Sequence, residues 1–403
     1  MEDAFQLRGD YAALANAKAS LPSKIWNTLL GGGASDTDSD SQLQSSPELL
    51  MLAIQKAFVD LDKKICETPL EMLWKHQGLR SAPTDVPSTA WDSILPALSG
   101  SCALLTCVDV ARRDVFVAVT GDSRAIAGWQ NTKDGQWTIE PLSEDQTGRN
   151  PSEVTRMKSE HPSREADTVI MRGRVMGGLE PTRAFGDAKY KWSADVQRQL
   201  HSAFSQDENG IQMRSMPRHL YTPPYVTAKP VVEWRRLPQP DAQGQKQLRF
   251  IVMATDGLWD LLNNDQVGAL VAGHLADVKG SVDAGTLQEQ FLASAAAASA
   301  SSLSPSTAAA ANSSPHAPTA SGSSDSQSPP QPAFSFQDEN ISTHLIRNAL
   351  GGADKHRVNA LLAIPAPDSR RYRDDITVNV ILFGDQRGQV RAAGQEATIK
   401  AKL

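Results

Sequence analysis

The chain has 403 residues, 40% of them hydrophobic and 21% charged, and a formal net charge of −6. That suits a globular protein with some low-complexity sequence, and leaves room for two or three average domains or one large domain with insertions. Mild acidity leaves no electrostatic footprint for nucleic acid. Three cysteines, Cys66, Cys102 and Cys107, cannot frame a disulfide scaffold and have no zinc-ligand spacing.

No stretch approaches the roughly 18 uncharged apolar residues of a membrane span. Met1-Glu2-Asp3-Ala4-Phe5 lacks both the layout of a signal peptide and the Arg-rich, acid-poor pattern of a mitochondrial presequence. Cys102 and Cys107 sit in or beside an apolar run, which predicts buried, reduced thiols. Such thiols suit a reducing compartment.

In chain order, residues 1–45 hold a weak helical pattern broken by Gly31-Gly32-Gly33 and an Asp/Ser run, which predicts a poorly ordered segment. A helix follows, with Ser46 as N-cap and Pro47 at its first position. Leu50, Ile54, Ala57, Phe58, Leu61 and Ile65 recur at helical spacing and give it one apolar face. Residues 78–99, rich in proline, read as irregular. Ala103–Val108, Val115–Val119, Ala125–Gln130 and Gln136–Glu140 then read as strands of one antiparallel meander, because the links are too short for parallel crossovers. Asn150-Pro151-Ser152-Glu153 predicts a helix start of capping-box type. Residues 163–235 read as packed loops. A buried strand ends at Ala254-Thr255, and a helix is predicted around Asp265–Leu275. Residues 293–332, mainly Ala, Ser and Pro, predict a disordered insertion. Ile341–Arg347 reads as a helix ended by Gly351-Gly352, and Ile376–Phe383 as the last strand. The polar tail 385–403 is expected to fray.

The stretch Phe250–Asp260 carries the first chemical signal. An apolar, β-branched run stops at Asp256-Gly257, and Asp260 follows one helical turn later, so both carboxylates can look into one pocket. Hard oxygen ligands at the mouth of a rigid strand suit Mg²⁺ or Mn²⁺. Alone, the same residues describe an ordinary strand-turn-helix corner with solvated or capping acids. Two further acidic turns, Gly121-Asp122-Ser123-Arg124 and Asp374-Asp375, lie at other strand boundaries.

With Ser99–Ala103, Val117–Arg124, Val175–Asp187, Phe250–Asp260 and Arg373–Val380, the chain resembles the metal-dependent protein Ser/Thr phosphatases of the PPM (type 2C) family. Leu142–Asp145 running on to Glu160-His161-Pro162, Arg183–Trp192, Tyr221–Tyr225 and Thr343–Ala349 are most similar to the mitochondrial pyruvate dehydrogenase phosphatase branch. The resemblance implies an α+β fold for residues 46–384, a type 2C phosphatase-like sandwich of two antiparallel sheets flanked by helices. It implies hydrolysis of phosphoserine and phosphothreonine by a water on two, or three, Mg²⁺ or Mn²⁺ ions. Asp256 and Asp374 take the positions of ligands to the ion pair; Asp122, with Asp256 and Asp260, takes those around an additional ion. No catalytic residue beyond the metal ligands is implied. Asp375 replaces the usual Asn, and Gln146 and Thr182 occupy positions often held by His and Ser; neither of the latter two is an expected ligand. Arg183 and Asp187 are expected to hold loops. The implied substrate is the pyruvate dehydrogenase E1α subunit, and the implied compartment is the mitochondrial matrix.

The family's early Asp-Gly-His-Gly-Gly, its preceding acidic pair and its upstream phosphate-binding Arg are not found within residues 1–100. That leaves the expected sandwich N-terminally incomplete. The favoured reading is a phosphatase lacking its front. The alternative is a catalytically inactive pseudophosphatase that binds phosphoproteins or acts as a regulatory module. A third is that another chain supplies the ligands.

Overall fold

The computed structural model describes residues 46–77, 94–204, 215–238, 246–292 and 333–384. The expected disorder of 1–45 and 293–332 and the fraying of 385–403 lie outside the described residues. In chain order the helices are α1 (Pro47–Gln77), α2 (Pro151–Glu160), α3 (Ala194–Phe204), α4 (Asp256–Trp259), α5 (Asn264–Leu275), α6 (Ala284–Phe291), α7 (Ile341–Leu350) and α8 (Lys355–Ala363). The strands are β1 (Gly100–Ser101), β2 (Ala103–Asp109), β3 (Asp114–Thr120), β4 (Arg124–Asn131), β5 (Trp137–Pro141), β6 (Ile170–Met171), β7 (Arg174–Val175), β8 (Phe185–Gly186), β9 (Val231–Arg236), β10 (Lys246–Ala254), β11 (Gly280–Asp283), β12 (Ala333–Phe336) and β13 (Val378–Leu382).

Two antiparallel sheets form the centre, ordered β2-β3-β9 and β13-β10-β4-β5. The alternation of side chains along each strand explains the layering. On β3, Phe116 and Ala118 face α1 and join Ile54, Phe58 and Leu61 in one core. Val115 and Val117 face the other way and meet Ala125, Ala127 and Trp129 of β4 and Ile251 of β10 between the sheets. Buried on both sides, β3 has no exposed residue. On β10, Phe250 and Val252 point outward and pack under α5 and α7 with Leu270 and Leu345. The order is helix, sheet, sheet, helix.

The single meander expected over residues 103–140 is therefore corrected. Its first two strands belong to one sheet and its last two to the other. The switch falls at Gly121-Asp122-Ser123. Gly121 adopts φ +107°, and a Cβ there would lie 2.2 Å from Cys102 Sγ, so only glycine fits this turn. The region 163–235 also holds more regular structure than expected, in α3 and β9.

No described cysteine is in a disulfide. Cys66 is buried, while Cys102 and Cys107 are only half-buried, against the expectation for those two. Burial pushes all three thiols up, Cys66 to about 12. No described helix is long and apolar enough to cross a membrane.

Candidate metal centre

Strand pairing brings three acidic turns to one end of one sheet. Ala254, the last residue of β10, pairs with Arg124 at the start of β4 on one side and Val378 at the start of β13 on the other. Asp122, Asp256 and Asp374 lie just beyond those residues. Thr255 stitches two of the turns together. Its N–H donates to Thr377 O at 3.1 Å, its hydroxyl donates to Asp375 O at 3.1 Å, and the same oxygen accepts from Thr377 N at 3.0 Å. α4 begins at Asp256, and the Asp260 N–H donates to Asp256 O at 2.8 Å, closing the one-turn separation read from the sequence.

The acids feel one another. Burial raises Asp256, and Asp122, Asp374 and Asp260 raise it further, to about 7. Asp122 is raised by burial, against hydrogen bonds that lower it; one is from the Cys102 thiol, which donates to Oδ1 at 3.1 Å. Asp260 is raised by burial and then by Glu180, Asp374, Asp122 and Asp145. None of Asp122, Asp256, Asp260 and Asp374 makes an ion pair among the described residues. Glu180 and Asp145 are additions to the predicted set; both lie in stretches that carry the resemblance, but neither was assigned a role there.

The donor chemistry suits a hard divalent cation: carboxylate oxygens, half-buried or exposed, that repel one another without a basic partner. Their spacing is less complete. Among the described residues, no three His, Cys, Asp or Glu side chains form a ready-made cage for an ion. Gln146 Oε1, next in chain to Asp145, is a buried acceptor with no hydrogen-bond partner. The four acids are gathered by the sheet but do not form a finished shell.

The neighbouring motif residues do structural work. Arg183 is 8% exposed and pairs with Glu153 at 2.7 Å, with a further bond from its guanidinium to Lys229 O at 2.5 Å. Thr182 donates its hydroxyl to Glu153 at 2.5 Å, with Gln146 O a second acceptor 3.0 Å away. Glu153 was expected as a capping-box residue, but its carboxylate turns inward, and Asn150 alone caps α2 by accepting from Ser152 N. Asp187 takes a left-handed φ of 46° at the entry to a short helical turn.

The fold is an antiparallel sheet pair clad in helices, with acidic turns at one end of the β13-β10-β4-β5 sheet. The protein phosphatase 2C family model matches residues 51–303, and the chain belongs to that family. A protein phosphatase 2C homolog of Schizosaccharomyces pombe is 37% identical over 335 residues, covering 83% of this chain and 62% of that protein. The mitochondrial pyruvate dehydrogenase phosphatase 1 of Saccharomyces cerevisiae is 36% identical, covering 84% of this chain and 54% of that one. Human mitochondrial pyruvate dehydrogenase phosphatase 2 is 36% identical, with 76% and 52% covered. The chain thus spans little more than half the length of these relatives. A solved serine-threonine phosphatase 2C from Toxoplasma gondii overlaps 65% of this chain and 70% of its own, at 17% identity and a TM-score of 0.36. The family assignment rests on the sequence relatives.

Proposed function

We propose that this chain is a metal-dependent protein serine/threonine phosphatase acting on a phosphorylated mitochondrial enzyme, the E1α subunit of pyruvate dehydrogenase. The observation that carries the reading is the charge-strained carboxylate set in a chain of this family, with Asp256 held up to about 7 by burial and by three other acids. Such an arrangement is unfavourable unless a cation offsets it. Asp256 and Asp374 would hold the pair of metal ions, and Asp122, with Asp256 and Asp260, would surround a further ion. Mg²⁺ or Mn²⁺ bound there supplies an acidified water and offsets charge on the phosphoryl oxygens. The protein's own part is positional. β4, β10 and β13 fix the backbone of the acids, Thr255 locks two turns in register, and the Cys102 thiol orients Asp122. The mitochondrial substrate and compartment draw on what the yeast and human relatives are named for.

The test is Mn²⁺-dependent phosphate release from a phosphoserine peptide by the 403-residue chain, beside Asp256→Asn. The expected outcome is turnover that the substitution abolishes, since it removes an anionic ligand. Equal turnover in the variant would overturn the site. A second reading, a non-catalytic phosphoprotein-binding module, is favoured by the absence of a ready-made three-ligand cage among the described residues. Selective binding of phosphopeptide by folded protein without turnover would establish it.

A further inference from the structure

Residues 145–149 tie a second charged group to the acidic cluster. Gln146 N donates to Gly121 O at 2.8 Å, Thr182 N donates to Gln146 O at 2.8 Å, and Gly148 N donates to Glu180 O at 3.3 Å. Glu180 is thereby fastened, through three residues of backbone, to the turn that carries Asp122. Its charge reaches both Asp122 and Asp260.

Two arginines clasp Glu180 from different segments. Arg174 Nη2 lies 2.5 Å from Oε2, and Arg149 Nη1 bonds Oε1. Arg174 follows the turn Arg172-Gly173 between β6 and β7, whose two residues have φ of 54° and 73°. Gly148 lets that turn close against the 145–149 segment, because a Cβ there would lie 2.5 Å from Gly173 O. The side chains of Arg149 and Arg174 remain 64% and 41% exposed. Arg172, at the tip, is exposed and makes no ion pair among the described residues. Two arginines on one glutamate, with Arg172 exposed in the adjoining turn, leave an excess of positive charge on this rim.

A further arginine beside the cluster is already committed. Arg124 bonds both oxygens of Asp145, donates to Asn264 at 2.9 Å and lies 5.1 Å over the Trp259 ring. An anionic protein segment approaching Asp122 and Asp260 would meet repulsion from those acids and attraction from the Arg149, Arg172 and Arg174 rim. Guanidinium groups present forked donors that match a carboxylate. An exposed ion pair such as Arg149 with Glu180 is weak enough to exchange partners.

We propose that Arg149, Arg172 and Arg174 form a substrate subsite that binds an acidic side chain flanking the phosphorylated residue of a protein substrate. This rests on the phosphatase reading above. In the free protein Glu180 occupies the fork and keeps the two guanidinium groups oriented; a substrate carboxylate takes over donors of the same fork.

The experiment uses the 403-residue protein with Mn²⁺ and two phosphoserine peptides that differ only in Glu or Gln at the flanking positions. In the Arg149→Ala/Arg174→Ala variant, KM for the Glu peptide should rise about ten-fold more than KM for the Gln peptide, with kcat little separated between them. Arg149→Lys/Arg174→Lys should restore part of the preference, and melting curves of all variants report folding. Equal losses on both peptides, or no loss on either, overturn the subsite. Turnover of p-nitrophenyl phosphate by the unaltered chain tests the phosphatase reading separately. If that fails, equilibrium binding of the same two peptides still decides the subsite. A Glu-over-Gln preference lost in the Ala variant supports it, and equal binding overturns it.

Discussion

Glu153 is 2% exposed in α2, and its carboxylate accepts from Arg156, Arg183 and Thr182. Burial alone would push this carboxyl up, but the hydrogen bonds from Arg156 and Arg183 outweigh it and hold it at about 2. The unfolded carboxyl takes up its proton near 4.5, so the stability from this group is full above that pH and drains away as pH falls toward 2. Glu153→Ala leaves Arg183 buried and unpaired, and should cost about 3–5 kcal/mol in a urea unfolding curve. His344 behaves in the opposite charge sense. It is fully buried, its Nε2 has no partner, and burial followed by the nearby His274 lowers it to about 4. Asp338 and the Phe336 ring also face it, the ring 4.6 Å away, and Asn348 bonds its Nδ1. Between 6.5 and about 4 the unfolded chain binds a proton that the folded one refuses, so stability declines across that window as pH falls. His344→Phe should flatten this decline, which is on the order of 3 kcal/mol, when melting is followed against pH. Neither role was visible in the sequence. The capping-box pattern marks Glu153 as a helix-start acid and leaves His344 inside a helix without a role, because Thr182 and Arg183 beside the one and His274 beside the other are remote in the chain.

At the scale of elements, α1 was legible because its apolar residues repeat at helical spacing, and Ile54, Phe58 and Leu61 are buried as expected. Phe58 meets Phe185 at 5.3 Å between ring centroids, which couples α1 to β8. Phe58→Ala should lower stability by about 3–5 kcal/mol by emptying that contact. Strands β3 and β10 were legible from β-branched runs and β4 from its place in a succession of short links, but their division between two sheets was not. Alternation shows that a strand has two faces and says nothing of which sheet it joins. The hairpin of β11 and β12 escaped because Gly280–Asp283 has one apolar residue, Val282, and its partner lies beyond residues 293–332. That pairing bounds the Ala/Ser/Pro segment on its far side. Deleting 293–332 and joining its ends with a short linker should leave the melting transition nearly unchanged, since closure entropy varies slowly with loop length. A large drop would show that the segment is packed.

For the molecule as a whole, the acidic turns were legible one at a time, whereas their convergence depends on β10 lying between β4 and β13. No local pattern encodes that non-local pairing. Because the cluster opposes its own charge, Mn²⁺ should raise the melting temperature of the whole protein by binding only the folded state. Asp256→Asn should melt slightly higher than the unaltered protein without metal and gain less from its addition, a calorimetric result independent of turnover. The three thiols have a further consequence at this scale. Burial holds all of Cys66, Cys102 and Cys107 above their ordinary value, so the reactive thiolate is scarce at neutral pH. A cysteine introduced at an exposed position such as Leu52, which is 60% exposed on α1, would outcompete them for maleimide dyes. Fluorophores could then be placed on the native sequence background to time how the two sheets come together during folding.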